Sequence, residues 1–168
     1  MSTAAIRESI DSAIGYLTQH PAEARYTDSV ATATLESGLR IRVAGPSGEE
    51  ITTDMPSSVG GTASAPSPGW LFRAALASCA ATLIAMRAAQ QRIELSRLEV
   101  VVDSESDDRG ILGIDPGVPA GPLSVRVSVR ASTVDGVPAD DVVSWAVEHC
   151  PVYDAIRRAV PVSISIDR

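Results

Sequence analysis

The sequence has no lysine and no asparagine; all 14 basic side chains are arginine. Without Lys there is no Schiff-base amine, no anchor for pyridoxal phosphate and no Walker-type phosphate loop. Without Asn there is no acceptor for N-glycosylation. Histidine and cysteine are scarce: His20, His149, Cys79 and Cys150 are all there is. Their spacing fits no common zinc pattern, and a closed four-ligand site would need two further good ligands, so neither a metal nor a cofactor is expected. Positive charge is also short. The net charge is −7, and an acidic surface repels phosphate backbones, which excludes nucleic acid as an expected partner. The longest apolar stretch, Ala74 to Met86, is flanked by Arg73 and Arg87 and is too short to span a bilayer. The first residues lack a basic region followed by an apolar core, so no signal peptide is expected and the cytoplasm is the expected compartment.

What remains is an ordinary globular composition, 45% hydrophobic and 21% charged in 168 residues. That length suits a single domain, 1–168, with residues 1–27 as an N-terminal helical extension and 28–168 as the core. Ile6, Ile10, Ile14 and Leu17 recur at helical spacing over residues 1–20, with Pro21 just beyond, so they share one face of an amphipathic helix. Between Asp28 and Asp54 the period drops to two. Leu39, Ile41 and Val43 alternate with Arg40 and Arg42, and glycine-containing turns break the run, which predicts a three-stranded antiparallel meander. Residues 55–67 are a loop rich in Pro, Ser and Gly. Pro68 to Gln91 predicts a long helix, apolar on nearly every face and therefore buried. Leu95 to Glu105 and Leu123 to Ala131 predict two strands. Pro138 to His149 predicts a helix, Tyr153 to Val160 another, and Val162, Ile164 and Ile166, alternating with serines, a final strand. Strand runs and helix runs segregate, which is the pattern of an α+β fold with an antiparallel sheet packed on a long central helix.

The two thiols carry the chemistry. A permanent structural disulfide is not expected in a cytosolic chain, and two unrelated buried thiols are the plain alternative. Cys150 precedes Pro151 at a helix start. If it is the N-cap, first-turn N–H groups favour its thiolate, and His149 adds a cation if its ring turns the same way. Cys79, inside an apolar helix, is expected to titrate high unless an arginine reaches it. Local context therefore ranks Cys150 as the better nucleophile.

The run Pro66-Ser67-Pro68-Gly69-Trp70-Leu71-Phe72-Arg73-Ala74-Ala75-Leu76-Ala77-Ser78-Cys79 resembles the central-helix signature of the OsmC/Ohr family. Cys150-Pro151-Val152 resembles that family's second motif. The Gly60-Gly61 loop and the Val-x-Ile-x-Ile ending also match, so the resemblance covers about residues 28–167. It implies an OsmC-like fold, an intertwined homodimer and a two-cysteine peroxidase acting on organic hydroperoxides with a dithiol reductant. Cys79 then becomes the peroxidatic cysteine and Cys150 the resolving one, the reverse of the local ranking. The chain departs from the family at Gly69, where active members carry Glu, and residues 44–72 contain no Arg to bind the thiolate. Arg40 and Arg42, on one face of their strand, are the nearest candidates for that role, against the plain alternative of two solvated arginines. Arg73, six residues before Cys79, lies roughly 240° around the helix from it. Glu49, Glu50 and Asp54 are the available carboxylates, with nothing to choose among them. Two other functions fit the same fold: a hydrophobic-ligand-binding protein with no catalysis, and a redox sensor that forms the disulfide without useful turnover.

Overall fold

The computed structural model describes residues 2–166. In chain order the elements are α1 (Thr3–Gln19), β1 (Thr32–Ser37), β2 (Arg40–Ala44), β3 (Glu50–Thr53), α2 (Pro68–Gln90), β4 (Leu95–Glu105), α3 (Asp108–Ile111), β5 (Ser124–Thr133), α4 (Asp140–Glu148) and α5 (Pro151–Arg158). Short 3-10 turns lie at Pro21–Ala24 and Ser57–Val59. By contacts the chain divides into two units, Ala13–Ala74 and Met1–Ser12 with Ala75–Arg168.

In the Ala13–Ala74 unit, β1, β2 and β3 form the expected antiparallel meander, with Leu35 opposite Ile41 and Val43 opposite Ile51. The Arg40 and Arg42 side chains share one face of β2, as the alternation requires. The buried residues of this unit are Thr53 and Asp54, both polar.

The other unit holds the apolar core. Strands β4 and β5 pair over nearly their whole length, with Val100 opposite Val129 and Val102 opposite Val127. Their apolar face meets α2 in two clusters. One gathers Ile84, Ala88, Val142 and Ala146, the last two from α4. The other gathers Leu76, Ala80 and Cys150. The alanines of α2 leave room for the strands to approach the helix axis closely. The opposite face of β4 and β5 carries ion pairs, Arg126 to Asp103 at 2.9 Å and Arg130 to Glu99 at 3.3 Å.

Helix α2 starts where Pro68 predicts. Ser67 acts as its cap, with Oγ accepting the Trp70 N–H at 3.2 Å. It stops at a left-handed turn in which Arg92 has φ of +60° and Ile93 N–H bonds the Ala88 carbonyl at 2.9 Å. By length and composition the helix suffices to cross a membrane, more than the Ala74 to Met86 stretch alone implied.

Three details differ from the sequence reading. Burial of α2 falls on one stripe, Leu76, Ala80, Ile84 and Ala88 with Ala89, and not on every face, because a single chain supplies strands to one side of that stripe only. The loop after β4 contains the short α3. Val162, Ile164 and Ile166 form no strand among the described residues. Alternation provides a strand's side chains but not the neighbouring edge its backbone must bond.

Candidate thiol site

Cys79 sits on the flank of the buried stripe of α2, half-buried, beside Leu76 and Ala80. Cys150 reaches the same place from the far end of the unit. Helix α4 ends at Glu148, and the Cys150 N–H closes onto the Val147 carbonyl at 3.1 Å. Cys150 itself is extended, with φ −73° and ψ 118°, and caps α5, whose first residue is Pro151. The Asp154 N–H bonds the Cys150 carbonyl at 2.9 Å and sets the first turn of that helix. Pro151 fits there because its fixed φ is helical and its missing N–H would have had no partner. The result is a fully buried Cys150 packed against Leu76 and Ala80, with Cys79 against the same cluster. Both cysteines are free thiols.

The electrostatics bear out the expectation that Cys79, in an apolar helix, titrates high. Helix α5 does begin at Cys150, but the Cys150 side chain makes no capping bond. Burial pushes the Cys79 thiol above its ordinary value; the Val152 N–H acts in the opposite direction, and the neighbouring Cys150 thiol pushes it up further. His149 does not turn toward the sulfur. Its ring stacks on Trp145 at 3.9 Å, and Nδ1 lies 2.7 Å from the Trp145 carbonyl, so Nδ1 carries the donated proton. The Arg87 guanidinium stacks on the same Trp145, 4.2 Å from the ring.

The structure brings the two sequence-predicted cysteines together. It places Arg40 and Arg42 in a carboxylate network within the Ala13–Ala74 unit. Arg40 Nε is 3.1 Å from Glu36, and its Nη1 donates to Ser64 Oγ at 2.9 Å. Arg42 lies 3.7 Å from Glu36 and 3.6 Å from Glu50.

Of the three available carboxylates the structure singles out Asp54. It is buried and accepts the N–H groups of Met55, Thr62 and Ser64 at 2.8, 3.0 and 3.0 Å. The Thr62 and Ser64 hydroxyls donate to it as well. Led by the Thr62 hydroxyl, these donors hold its carboxyl well below the usual carboxylate range. Asp54 thereby folds the 55–67 loop back on itself. Gly61 is required in that loop, because a Cβ there would fall on the Met55 carbonyl. The folded loop and the start of α2 enclose a cavity of about 410 Å³ lined by Asp54, Pro56, Ala63, Pro66, Trp70 and Arg73. The only sequence signal for this arrangement is an Asp with Thr and Ser eight and ten residues on.

Residues 61–165 match the family model described as OsmC-like protein. No curated protein sequence matches the chain. Among solved structures, an organic hydroperoxide resistance protein of Legionella pneumophila is 25% identical, with a TM-score of 0.58, over 79% of this chain and 91% of its own. An OsmC-like protein of Mycoplasma pneumoniae is 15% identical with a TM-score of 0.66, over 79% of this chain and 89% of its own. An organic hydroperoxide resistance protein of Bacillus subtilis is 22% identical with a TM-score of 0.51, over 78% and 91%. At those identities the last two speak for the fold alone.

Proposed function

The chain belongs to the OsmC-like protein family, and from that membership we propose that it is a two-cysteine peroxidase for organic hydroperoxides. The observation that carries the reading is the meeting of Cys79 and Cys150 in one packed cluster, from two elements remote in sequence. Cys79 is the half-exposed thiol and Cys150 the fully buried one, so an oxidant meets Cys79 first. The Cys79 thiolate attacks the distal oxygen of ROOH. The O–O bond breaks, the alkoxide leaves and takes a proton as ROH, and Cys79 becomes a sulfenic acid. The Cys150 thiol then displaces hydroxide from that sulfur. Water leaves and a Cys79–Cys150 disulfide forms. A dithiol returns both cysteines to thiols by exchange and is itself oxidised to a disulfide. Arg40 and Arg42 enter the proposal as the two guanidinium candidates for the activating cation. The working form is a homodimer in the cytoplasm.

One equivalent of an organic hydroperoxide is expected to convert two titratable thiols to none. The chain should lose about two daltons, with no link between chains. Cys79→Ser abolishes turnover with a dithiol, whereas Cys150→Ser stops after one equivalent and leaves a sulfenic acid that a dimedone-type probe traps. Persistence of both thiols in the native protein refutes the reading.

A second reading, a binding protein for a hydrophobic small molecule, is favoured by Gly69, which leaves no carboxylate at the start of α2, beside the largely apolar cavity at Trp70. A copurified ligand with no peroxide consumption would select it.

A further inference from the structure

A resolving cysteine must stand where it can reach its partner, and Cys150 is fully buried. We propose that Trp145 is the positioning residue for Cys150, held by Arg87 and His149 so that the end of α4 sets the Cys150 sulfur against α2. This inference rests on the two-cysteine reading for its purpose.

The joint between α4 and α5 has no slack. Two residues connect the helices, and each is a cap: His149 closes α4 and Cys150 opens α5. The His149 N–H bonds the Trp145 carbonyl at 3.1 Å, and the Cys150 N–H bonds the Val147 carbonyl at 3.1 Å. Pro151 follows at once with its fixed φ. A rotation of the last turn of α4 is therefore passed straight to the Cys150 side chain.

That last turn is pinned through Trp145. The His149 ring stacks on the indole at 3.9 Å, with 14° between the planes, and its Nδ1–H donates to the Trp145 carbonyl at 2.7 Å. One carbonyl at the open end of α4 thus accepts twice from the capping residue. The Arg87 guanidinium lies 4.2 Å from the same indole, a cation–π contact. Arg87 belongs to α2, about two turns beyond Cys79. The helix that carries one cysteine grips the helix end that leads to the other.

Ordinary packing does not duplicate this grip. Trp145 is partly buried at the edge of the cluster formed by Ile84, Ala88, Val142 and Ala146, whereas Cys150 belongs to the other cluster, with Leu76 and Ala80. A Leu in place of Trp145 still covers the first cluster. Only an aromatic ring offers a face to both Arg87 and His149, and that face holds the joint between the two clusters.

Glutathione reads the effect without peroxide. One glutathione disulfide oxidises the two thiols of the chain to a Cys79–Cys150 disulfide and leaves as two glutathione thiols. The full chain is equilibrated in glutathione buffers at pH 7, quenched with acid and alkylated. The internal disulfide is counted by peptide mass spectrometry, with glutathione adducts counted apart. Trp145→Leu should lower the equilibrium constant for the disulfide about tenfold, and Arg87→Met about threefold. Trp145→Phe, which keeps an aromatic face, should recover most of the loss. The control is Ile84→Val, which removes one methyl group from the cluster that Trp145 borders. It should lower the urea midpoint and leave the disulfide constant unmoved, as would any residue with a role in stability alone. Native constants for both Trp145→Leu and Arg87→Met overturn the proposal, as does a native protein in which the disulfide never forms.

The two readings fail separately. A disulfide whose constant follows Trp145 and Arg87, in a protein that leaves hydroperoxide intact, removes the peroxidase reading alone. Hydroperoxide turnover with one constant across all the variants removes this inference alone.

Discussion

Asp54 shows how much a single side chain can organise. Five donors converge on it from three residues of one loop, and its folded carboxyl titrates well below the usual range. A carboxylate depressed in this way stabilises the fold fully above its unfolded value, near 4. That contribution is lost as the pH falls below 4 toward the depressed value. Asp54→Asn keeps the shape but removes the charge and turns one acceptor into a donor facing donors. We expect the Thr62 and Ser64 amides to exchange hydrogen about tenfold faster or more in Asp54→Asn at neutral pH. The difference from wild type should shrink steadily below pH 4. Equal exchange in the two proteins at pH 7 would show that the loop holds itself. The sequence offered Glu49, Glu50 and Asp54 as equals, since only the fold-back of the loop brings Thr62 and Ser64 to one of them. The same limit applied to the thiols. Cys150-Pro151 announces a helix start correctly, but that Cys79 packs on the same cluster depends on where α2 lies.

At the level of elements, the legible features were those written in period and punctuation. The alternation of β4 yields Leu95–Glu105 to the residue, Pro68 marks the first turn of α2, and Gly38, with φ of +56°, turns β1 into β2, while Glu36 and Ser37 belong to β1 itself. The buried face of α2 was not legible, because alanines occur on every side and all of them suit a helix. The structure selects the stripe through Ile84, which is fully buried among Val142, Ala146 and the apolar face of β4. Ile84→Ala should therefore cost about 2 to 5 kcal/mol in urea or guanidinium unfolding, with little change in the denaturant slope. Leu83, partly buried on the edge of that cluster, should cost clearly less as Leu83→Ala. A reversed order would place the helix in a different rotation against the strands.

At the scale of the whole molecule the question is what covers the apolar side chains that one chain leaves bare. Helix α1 buries none of its residues, although Ile6, Ile10, Ile14 and Leu17 line one face. The only buried side chains in the Ala13–Ala74 unit are polar, and Leu35 and Ile51 stand exposed on its strands. Val162, Ile164 and Ile166 are each more than four-fifths exposed, in a segment whose serine alternation is that of a strand with one covered face. Monomeric soluble proteins rarely keep so many apolar stretches open, and an unpaired strand with open backbone groups invites pairing. The proposed homodimer meets both needs, since a second copy brings apolar surface and free strand edges together. Light scattering at micromolar concentration should give about twice the 17.5 kDa of the chain, and the melting temperature should rise with protein concentration, as it does when folding and association are linked. Replacing Val162, Ile164 and Ile166 together by Ser should lower the melting temperature and weaken association, while the β4–β5 pairing, which uses none of them, survives by far-UV circular dichroism. A stable 17.5 kDa species whose melting ignores concentration would mean that the three side chains are covered from within the chain, and the partner would have to be given up.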